Sequence, residues 1–227
     1  MWKRIILCGA MALGWGCCVI AQETPAVIEP AMEAARAEAP VVAETKAAVV
    51  AHNPVVLARV GDLDDALMDR LKSWAETSLA VPVPLAESLT VTSDKLADVV
   101  PAAAAQLGPD DVGMVVLNTL ASADEPNGIF RPDERVVVIN VTDMREGADE
   151  NILAWRLERQ VIRGICVLMG MEWSPNPESA MAQYQSLEEL DRMGRNLDPP
   201  WLLKFQERAN ALGIPLDPDS PINFFRE

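Results

Sequence analysis

Histidine is almost absent from this chain, which has His52 as the single histidine among its 227 residues. Imidazole is the usual base beside a serine or cysteine nucleophile, and it is a common ligand of catalytic zinc. Ser93 and Ser174 therefore have no base partner, and no zinc site with several histidine ligands can be assembled. The sequence excludes the commonest hydrolytic centres.

Cysteine is also scarce, and three of the four cysteines lie within residues 1–21. That segment begins with the basic residues Lys3 and Arg4, continues as an apolar run and ends on Val-Ile-Ala, a pattern typical of a cleaved signal peptide. We therefore expect residues 1–21 to direct export to the periplasm or the extracellular space. After cleavage only Cys166 remains, so no intrachain disulfide can form.

The leader leaves two alternatives open. It could stay uncleaved as a membrane anchor, although its apolar run is short for a full span and contains glycines. Cys17 could instead be lipidated, but the preceding Gly-Trp-Gly matches a lipoprotein cleavage site poorly.

Basic residues are few, because 19 Lys and Arg stand against 34 Asp and Glu and give a net charge of −15. An acidic surface is repelled by phosphate backbones and by anionic lipid head groups. We therefore expect no nucleic-acid partner and no membrane contact beyond the leader. The sequence does not indicate an oligomeric state.

The chain then divides into a tether and a folded body. Residues 22–53 are rich in Ala, Glu, Val and Pro and have no aromatic residue, which indicates a disordered tether. Residues 54–227 form one predicted domain of the α/β (α+β) class, with helices packed on a mixed twisted sheet. Strands are predicted at 54–60, 80–85, 112–119, near Ile129 and at 136–141, and helices at 62–79, 93–107, 150–169, 186–193 and 199–212.

One segment, Arg163–Met181, has an unusual arrangement. A predicted helix carries no polar side chain from Ile165 to Met169, stops at Gly170 and is followed by a Ser-Pro-Asn-Pro turn. Metzincin proteases carry H-E-x-x-H-x-x-G-x-x-H on a helix that ends at the glycine, followed by a turn with a methionine. In that motif two histidines at i and i+4 share a helix face and bind one zinc ion, while the glutamate acts as the base.

The spacing of Gly170 and Met181 resembles the archaemetzincin branch of that family. The flanking segments add to the resemblance, which covers roughly residues 54–205: a strand and helix from Leu57, the strands VGMVVLNT and VVVINVTDM, and SLEELDRM after the methionine. The resemblance implies a zincin-like catalytic-domain architecture for the folded body. A core helix that ends at a glycine, with no such relationship, is the alternative.

The resemblance implies specific site positions, and this chain departs from the family at each ligand. Arg163 and Gly164 stand at the first histidine and the glutamate, and Val167 and Trp173 at the second and third histidines. The family's structural zinc is held by cysteines. Those positions are occupied here by Ser174, Ser179, Pro199 and Leu202.

We therefore predict no catalytic residue, no bound zinc and no other cofactor. Val167 and a buried Trp173 are expected to fill the space with apolar bulk. Gly164 is expected to mark either a close approach of the helix backbone to a neighbour or a position that tolerates glycine. Arg163 is expected to meet Glu172 or to remain in solvent.

These expectations predict an exported, catalytically inactive protein with a metalloprotease fold. It could bind an extended peptide or a protein in the cleft between the edge strand and the motif helix. One alternative is an active peptidase whose metal is held by carboxylates such as Glu172 and Glu178. Another is an inert structural domain of the cell envelope.

Two other candidates have simpler interpretations. Asp62, Asp64 and Asp65 form a carboxylate cluster, but helix starts favour acidic residues, and a helix start is the better explanation. Cys166 lies in the most apolar turn of the predicted helix and is interpreted as a buried structural thiol rather than a nucleophile.

Overall fold

The computed structural model describes residues 52–225. The predicted signal peptide lies outside these residues, and so does all but the end of the predicted tether. The strands are β1 Val56–Val60, β2 Met114–Asn118, β3 Gly128–Arg131 and β4 Val136–Asn140. The helices are α1 Asp65–Leu79, α2 Leu96–Ala104, α3 Val141–Met144, α4 Glu150–Leu168, α5 Leu187–Arg192 and α6 Pro199–Ala211.

The four strands form one mixed sheet in the order β1-β2-β4-β3. β1, β2 and β4 are parallel, and β3 runs antiparallel to β4 at the edge. Every residue of β2 and β4 is buried, because helices cover both faces of the sheet. The predicted fold class, a mixed sheet with packed helices, is confirmed.

Alternating side chains of the strands divide the core into two layers. Val115, Leu117 and Val137 face the layer that contains α1 and α4, and the same layer continues into α6. Val116 and Val138 face the opposite layer, against α2. This period-two division of valine-rich strands is what positions α4 against the middle of the sheet.

Three local predictions need correction. Residues 80–85 form no strand and touch β1 through a single bridge from Leu85 to Leu57, because Pro82 and Pro84 have no N–H to donate to a ladder. α2 begins at Leu96 rather than at residue 93, and it contains Pro101 without breaking there. The short helix α3 was not predicted.

The long helix α4 is enclosed on nearly all sides. Asp149 caps it by accepting a hydrogen bond from the Ile152 N–H at 2.8 Å, and its residues are almost all buried from Leu153 to Cys166. The sheet covers one side of α4, and the chain after residue 174 covers the other. Within residues 52–225, no helix has both the length and the apolar character that a membrane crossing requires.

Candidate functional site

The end of α4 is built by Gly170. Its φ of +74° is a left-handed conformation that glycine adopts without strain. The Met171 N–H donates to the Cys166 carbonyl and the Gly170 N–H to the Val167 carbonyl, which together form a Schellman motif. The helix therefore stops and the chain reverses at the position that the sequence predicted.

The returning segment places Met181 beneath the helix. Met181 is fully buried, and its carbonyl accepts a hydrogen bond from the Ser174 N–H at 2.9 Å, which closes the turn. The Ala180 N–H donates to the Asn196 carbonyl, also at 2.9 Å, and connects the turn to the segment before α6. The backbone around Met181 is thus fixed from both sides.

Arg163 lies inside this frame, so the prediction that it would meet Glu172 or remain in solvent is wrong. Its side chain is buried, with 4% of its surface exposed. Its Nη1 donates to the Ala180 carbonyl at 3.1 Å and to the Ala182 carbonyl. The guanidinium is bonded to the two carbonyls that flank Met181.

Two aromatic rings enclose the same guanidinium. The Arg163 Cζ lies 4.7 Å from the centroid of the Trp173 ring and 4.8 Å from that of Tyr184. Rings at this distance attract a cation through their electron-rich faces. The Tyr184 hydroxyl is held in turn by the Gln160 amide at 2.5 Å. The site is therefore a cation between two rings and two carbonyls.

The electrostatics of Arg163 differ from those of its neighbour on α4, Arg156. Burial lowers the pKa of Arg163, because desolvation disfavours the charged form. Arg156 bonds to both carboxylate oxygens of Asp191, and this bonding raises the pKa of Arg156 despite burial. Among residues 52–225, Arg163 forms no ion pair.

Gly164 has the role that the sequence predicted. A Cβ at this position would lie 2.9 Å from Cγ2 of Val115 and 3.2 Å from Cγ1 of Val137. Contacts this short are repulsive, so only glycine lets α4 approach the sheet this closely. Val167 is half-buried and packs against the core layer that contains α1 and α4, as expected for an apolar side chain that fills space.

Trp173 corrects a second prediction, since it is not buried. Its side chain is 36% exposed, and its ring meets Phe130 of the edge strand β3 edge to face, with centroids 5.9 Å apart. Arg163, rather than Trp173, occupies the centre of the frame. Trp173 links the motif to the edge of the sheet.

The four positions that the resemblance matches to structural-zinc cysteines lie in a hydrogen-bonded and packed region: Ser174, Ser179, Pro199 and Leu202. The Ser174 Oγ donates to Asp198 Oδ1 at 3.1 Å, and the Ser179 Oγ accepts from the Met181 N–H at 3.3 Å. Pro199 is the first residue of α6, where a missing N–H costs nothing, and Leu202 is buried in the core. Hydrogen bonds of the two serine hydroxyls and the packing of Leu202 therefore hold this region together.

The donor set does not fit zinc. A guanidinium has no lone pair to give, and neither valine nor an indole N–H is a ligand. The carboxylate alternative lacks support as well, because Glu172 and Glu178 belong to no cluster of possible metal ligands among residues 52–225. In the described part of the chain, no group of three or more His, Cys, Asp or Glu side chains is placed to hold a metal ion.

The two remaining candidates agree with their simpler interpretations. The Asp64 carboxylate accepts from the Ala66 N–H at 2.9 Å and caps α1. Cys166 is fully buried, and burial raises the pKa of its thiol, which keeps it protonated and unreactive.

Sequence reasoning missed Tyr184 and the role of the backbone carbonyls around Met181. Tyr184 is the only tyrosine of the chain and follows Met181 by three residues, so its position was a usable signal. The carbonyls left none, since backbone acceptors are the same in every residue. A shallow cavity of about 450 Å³ adjoins the site and is lined by Trp173, Ser174, Pro175, Pro177, Ala182 and Gln183.

Comparison with solved structures identifies the fold. An archaemetzincin from Methanopyrus kandleri superposes with a TM-score of 0.58 over 70% of this chain and 96% of its own, at 16% identity. A zinc-dependent peptidase from Methanocorpusculum labreanum gives a TM-score of 0.55 over 66% and 99%, at 15% identity. The chain has the archaemetzincin fold, as the resemblance in the sequence implied. No protein-family model matches the chain. No curated protein matches it either.

Proposed function

We propose that this chain is an exported, non-catalytic binding protein that uses the zinc-peptidase fold to hold an extended peptide or protein segment. The observation that carries the proposal is the guanidinium of Arg163, which is bonded to the carbonyls on either side of Met181. A cation fixed there would repel a metal ion. The side chains at the other ligand positions, Val167 and Trp173, supply no metal ligand.

The edge strand β3 supports the binding part of the proposal. The Asn140 N–H donates to the Asn127 carbonyl, and Ile129 lies opposite Val138. Because hydrogen-bonded and non-bonded pairs alternate in an antiparallel ladder, the N–H and C=O of Phe130 point away from β4. Within residues 52–225, no further strand pairs with this side of β3. An added peptide strand would find donors and acceptors there.

Trp173 gives such a peptide a place for its side chains. Its ring packs on Phe130 at one side and lines the 450 Å³ cavity at the other. Aromatic residues are enriched at the surfaces through which proteins bind one another. We therefore place the peptide along β3, with a side chain directed toward Trp173.

Metal content and hydrolysis test the non-catalytic part. The purified protein is expected to contain no stoichiometric zinc by plasma mass spectrometry and to leave casein and denatured protein intact. A stoichiometric metal whose removal abolishes cleavage would overturn the proposal and favour the alternative of carboxylate ligands.

Selection from a random peptide library tests the binding part. Selected peptides are expected to bind the protein and to lose about tenfold or more in affinity when Phe130→Pro removes the outward N–H. Phe130→Ala is the matched variant, because it removes the ring and keeps the N–H. Failure to enrich any peptide would favour the inert structural domain instead.

Export has its own test. We propose that residues 1–21 are removed, and N-terminal sequencing of the protein from its native compartment is expected to begin at Gln22. A chain that starts at Met1 in the membrane fraction would favour the uncleaved anchor.

A further inference from the structure

Arg163 has more hydrogen-bonding capacity than its surroundings use. Both of its hydrogen bonds come from Nη1. Its Nε is buried and has no hydrogen-bond partner among residues 52–225. A buried donor without an acceptor is rare in folded proteins and needs an explanation such as a bound group.

The charge of Arg163 also lacks a partner, because no carboxylate among residues 52–225 forms an ion pair with it. Arg156, on the same helix, has Asp191 as a bidentate partner. Arg159 directs both Nε and Nη2 to the Met193 carbonyl, at 3.0 and 2.8 Å. Arg163 has neither arrangement. Two carbonyls and two rings offset part of its charge, but a buried cation without a carboxylate is costly.

The free edge of the guanidinium has a definite geometry. Nε and Nη2 present two parallel N–H groups, and this fork fits the two oxygens of a carboxylate. Nη1 is bonded to two carbonyls, and the Trp173 and Tyr184 rings lie against the guanidinium, so these contacts hold its orientation. Only an acceptor that arrives at this edge completes its coordination.

We infer that the Nε and Nη2 edge of Arg163 is a binding site for a carboxylate group. Trp173, whose ring lies 4.7 Å from the Arg163 Cζ, lines the cavity of about 450 Å³ and also meets Phe130 of β3, so a ligand held there lies near Arg163. A peptide along β3 would supply the carboxylate from its C-terminus or from an acidic side chain. A free organic acid has the same chemistry. The peptide source rests on the proposed function, whereas the carboxylate site does not.

The test follows the Nε–Hε signal of Arg163 by nitrogen-15 NMR on the protein. The probes are acetyl-Val-Thr-Val-Thr-Val as the free acid, the same peptide as the C-terminal amide, and propionate. The free acid is expected to shift the Arg163 signal and to bind about tenfold more tightly than the amide, which corresponds to about 1.4 kcal/mol.

Each result has a distinct meaning. A shift with propionate but with neither peptide supports the carboxylate site, assigns it to free acids and contradicts the peptide proposal. Equal affinity for acid and amide, with no movement of the signal, overturns the site and leaves peptide binding in place. No shift with any probe overturns the site as well.

A variant pair adds a second readout. Arg163→Gln removes the charge and the fork but keeps an amide donor for the carbonyls, and it is expected to bind acid and amide with equal affinity. Arg192→Gln, an exposed arginine on α5, is the control and is expected to keep the tenfold preference. If Arg163→Gln does not fold, the wild-type NMR result decides the question.

Discussion

Arg163 shows at the scale of one residue how a buried charge can organise a turn. Its side chain joins α4 to the carbonyls of Ala180 and Ala182, and each carbonyl would lose a partner without it. Buried carbonyls without donors cost about 1–3 kcal/mol each. The residue therefore stabilises the turn even though its own desolvation is unfavourable.

Arg163→Met tests this balance, because methionine keeps an unbranched apolar side chain and has no donors. The free energy of unfolding is expected to fall by about 2 kcal/mol, measured by urea denaturation. Arg192→Met, where both partners of the ion pair with Glu188 are exposed, is expected to change it by less than about 0.5 kcal/mol. An unchanged midpoint for Arg163→Met would mean that water satisfies the carbonyls equally well.

Gly164 makes a second prediction at the same scale. Gly164→Ala is expected to destabilise the protein by about 1–2 kcal/mol, although alanine favours helices by about 1 kcal/mol, because the new Cβ would meet Val115 at 2.9 Å. In a Val115→Ala background the penalty should shrink or reverse. Additive losses in the double-mutant cycle would contradict the proposed contact.

At the scale of elements, α3 contains an acidic group that opposes folding. The Asp143 Oδ2 is buried without a hydrogen-bond partner in the described residues. Burial, and then the charge of Glu146, raise the pKa of Asp143 above its ordinary 3.8, although Arg156 lowers it. The folded state therefore holds this proton more tightly than the unfolded state does. Stability falls as pH rises through the window between 3.8 and the raised pKa.

Asp143→Asn should remove that loss. We expect the variant to be more stable than the parent at neutral pH, by less than about 1 kcal/mol because solvent screens the partly buried Asp143, and the gain to shrink toward pH 4. Urea denaturation from about pH 4 to about pH 7 measures it. Asp133→Asn, on the exposed turn before β4, is the control for the same substitution at an exposed carboxylate. A gain independent of pH would exclude titration of Asp143 as the cause.

The elements also show where sequence reasoning succeeds and where it fails. Strands β2 and β4 were predictable because unbroken β-branched runs suit a sheet covered on both faces. The Schellman end of α4 was predictable because glycine alone favours that conformation. Residues 80–85 were misassigned because their alternating pattern resembles a strand, while two prolines prevent a ladder.

On the scale of the whole molecule, the archaemetzincin fold is held by two core layers and by the contacts of α4 with the chain after residue 174. Those contacts use arginine donors and backbone carbonyls, as between Arg159 and Met193. No bound metal is required by any of them. We therefore expect the architecture to be stable without zinc.

Chelation tests that conclusion. Dialysis against a strong chelator is expected to leave the thermal unfolding midpoint unchanged, measured by circular dichroism before and after dialysis and again after zinc is added back. A midpoint that falls on chelation and recovers with zinc would mean that metal binding contributes to folding, as it does in structural zinc sites.

The sequence by itself determined the class of the fold, the long helix and its end at Gly170, and it predicted which residues stand at the positions that the resemblance matches to metal ligands. These are local properties, since strand patterns, helix ends and residue identities depend on neighbours in the chain. Only the tertiary structure decided what surrounds Arg163. Arg163 is 17 and 19 residues from the carbonyls it bonds, and Trp173 meets β3 across an even longer separation. Backbone acceptors carry no sequence signal, so folding alone brings that site together.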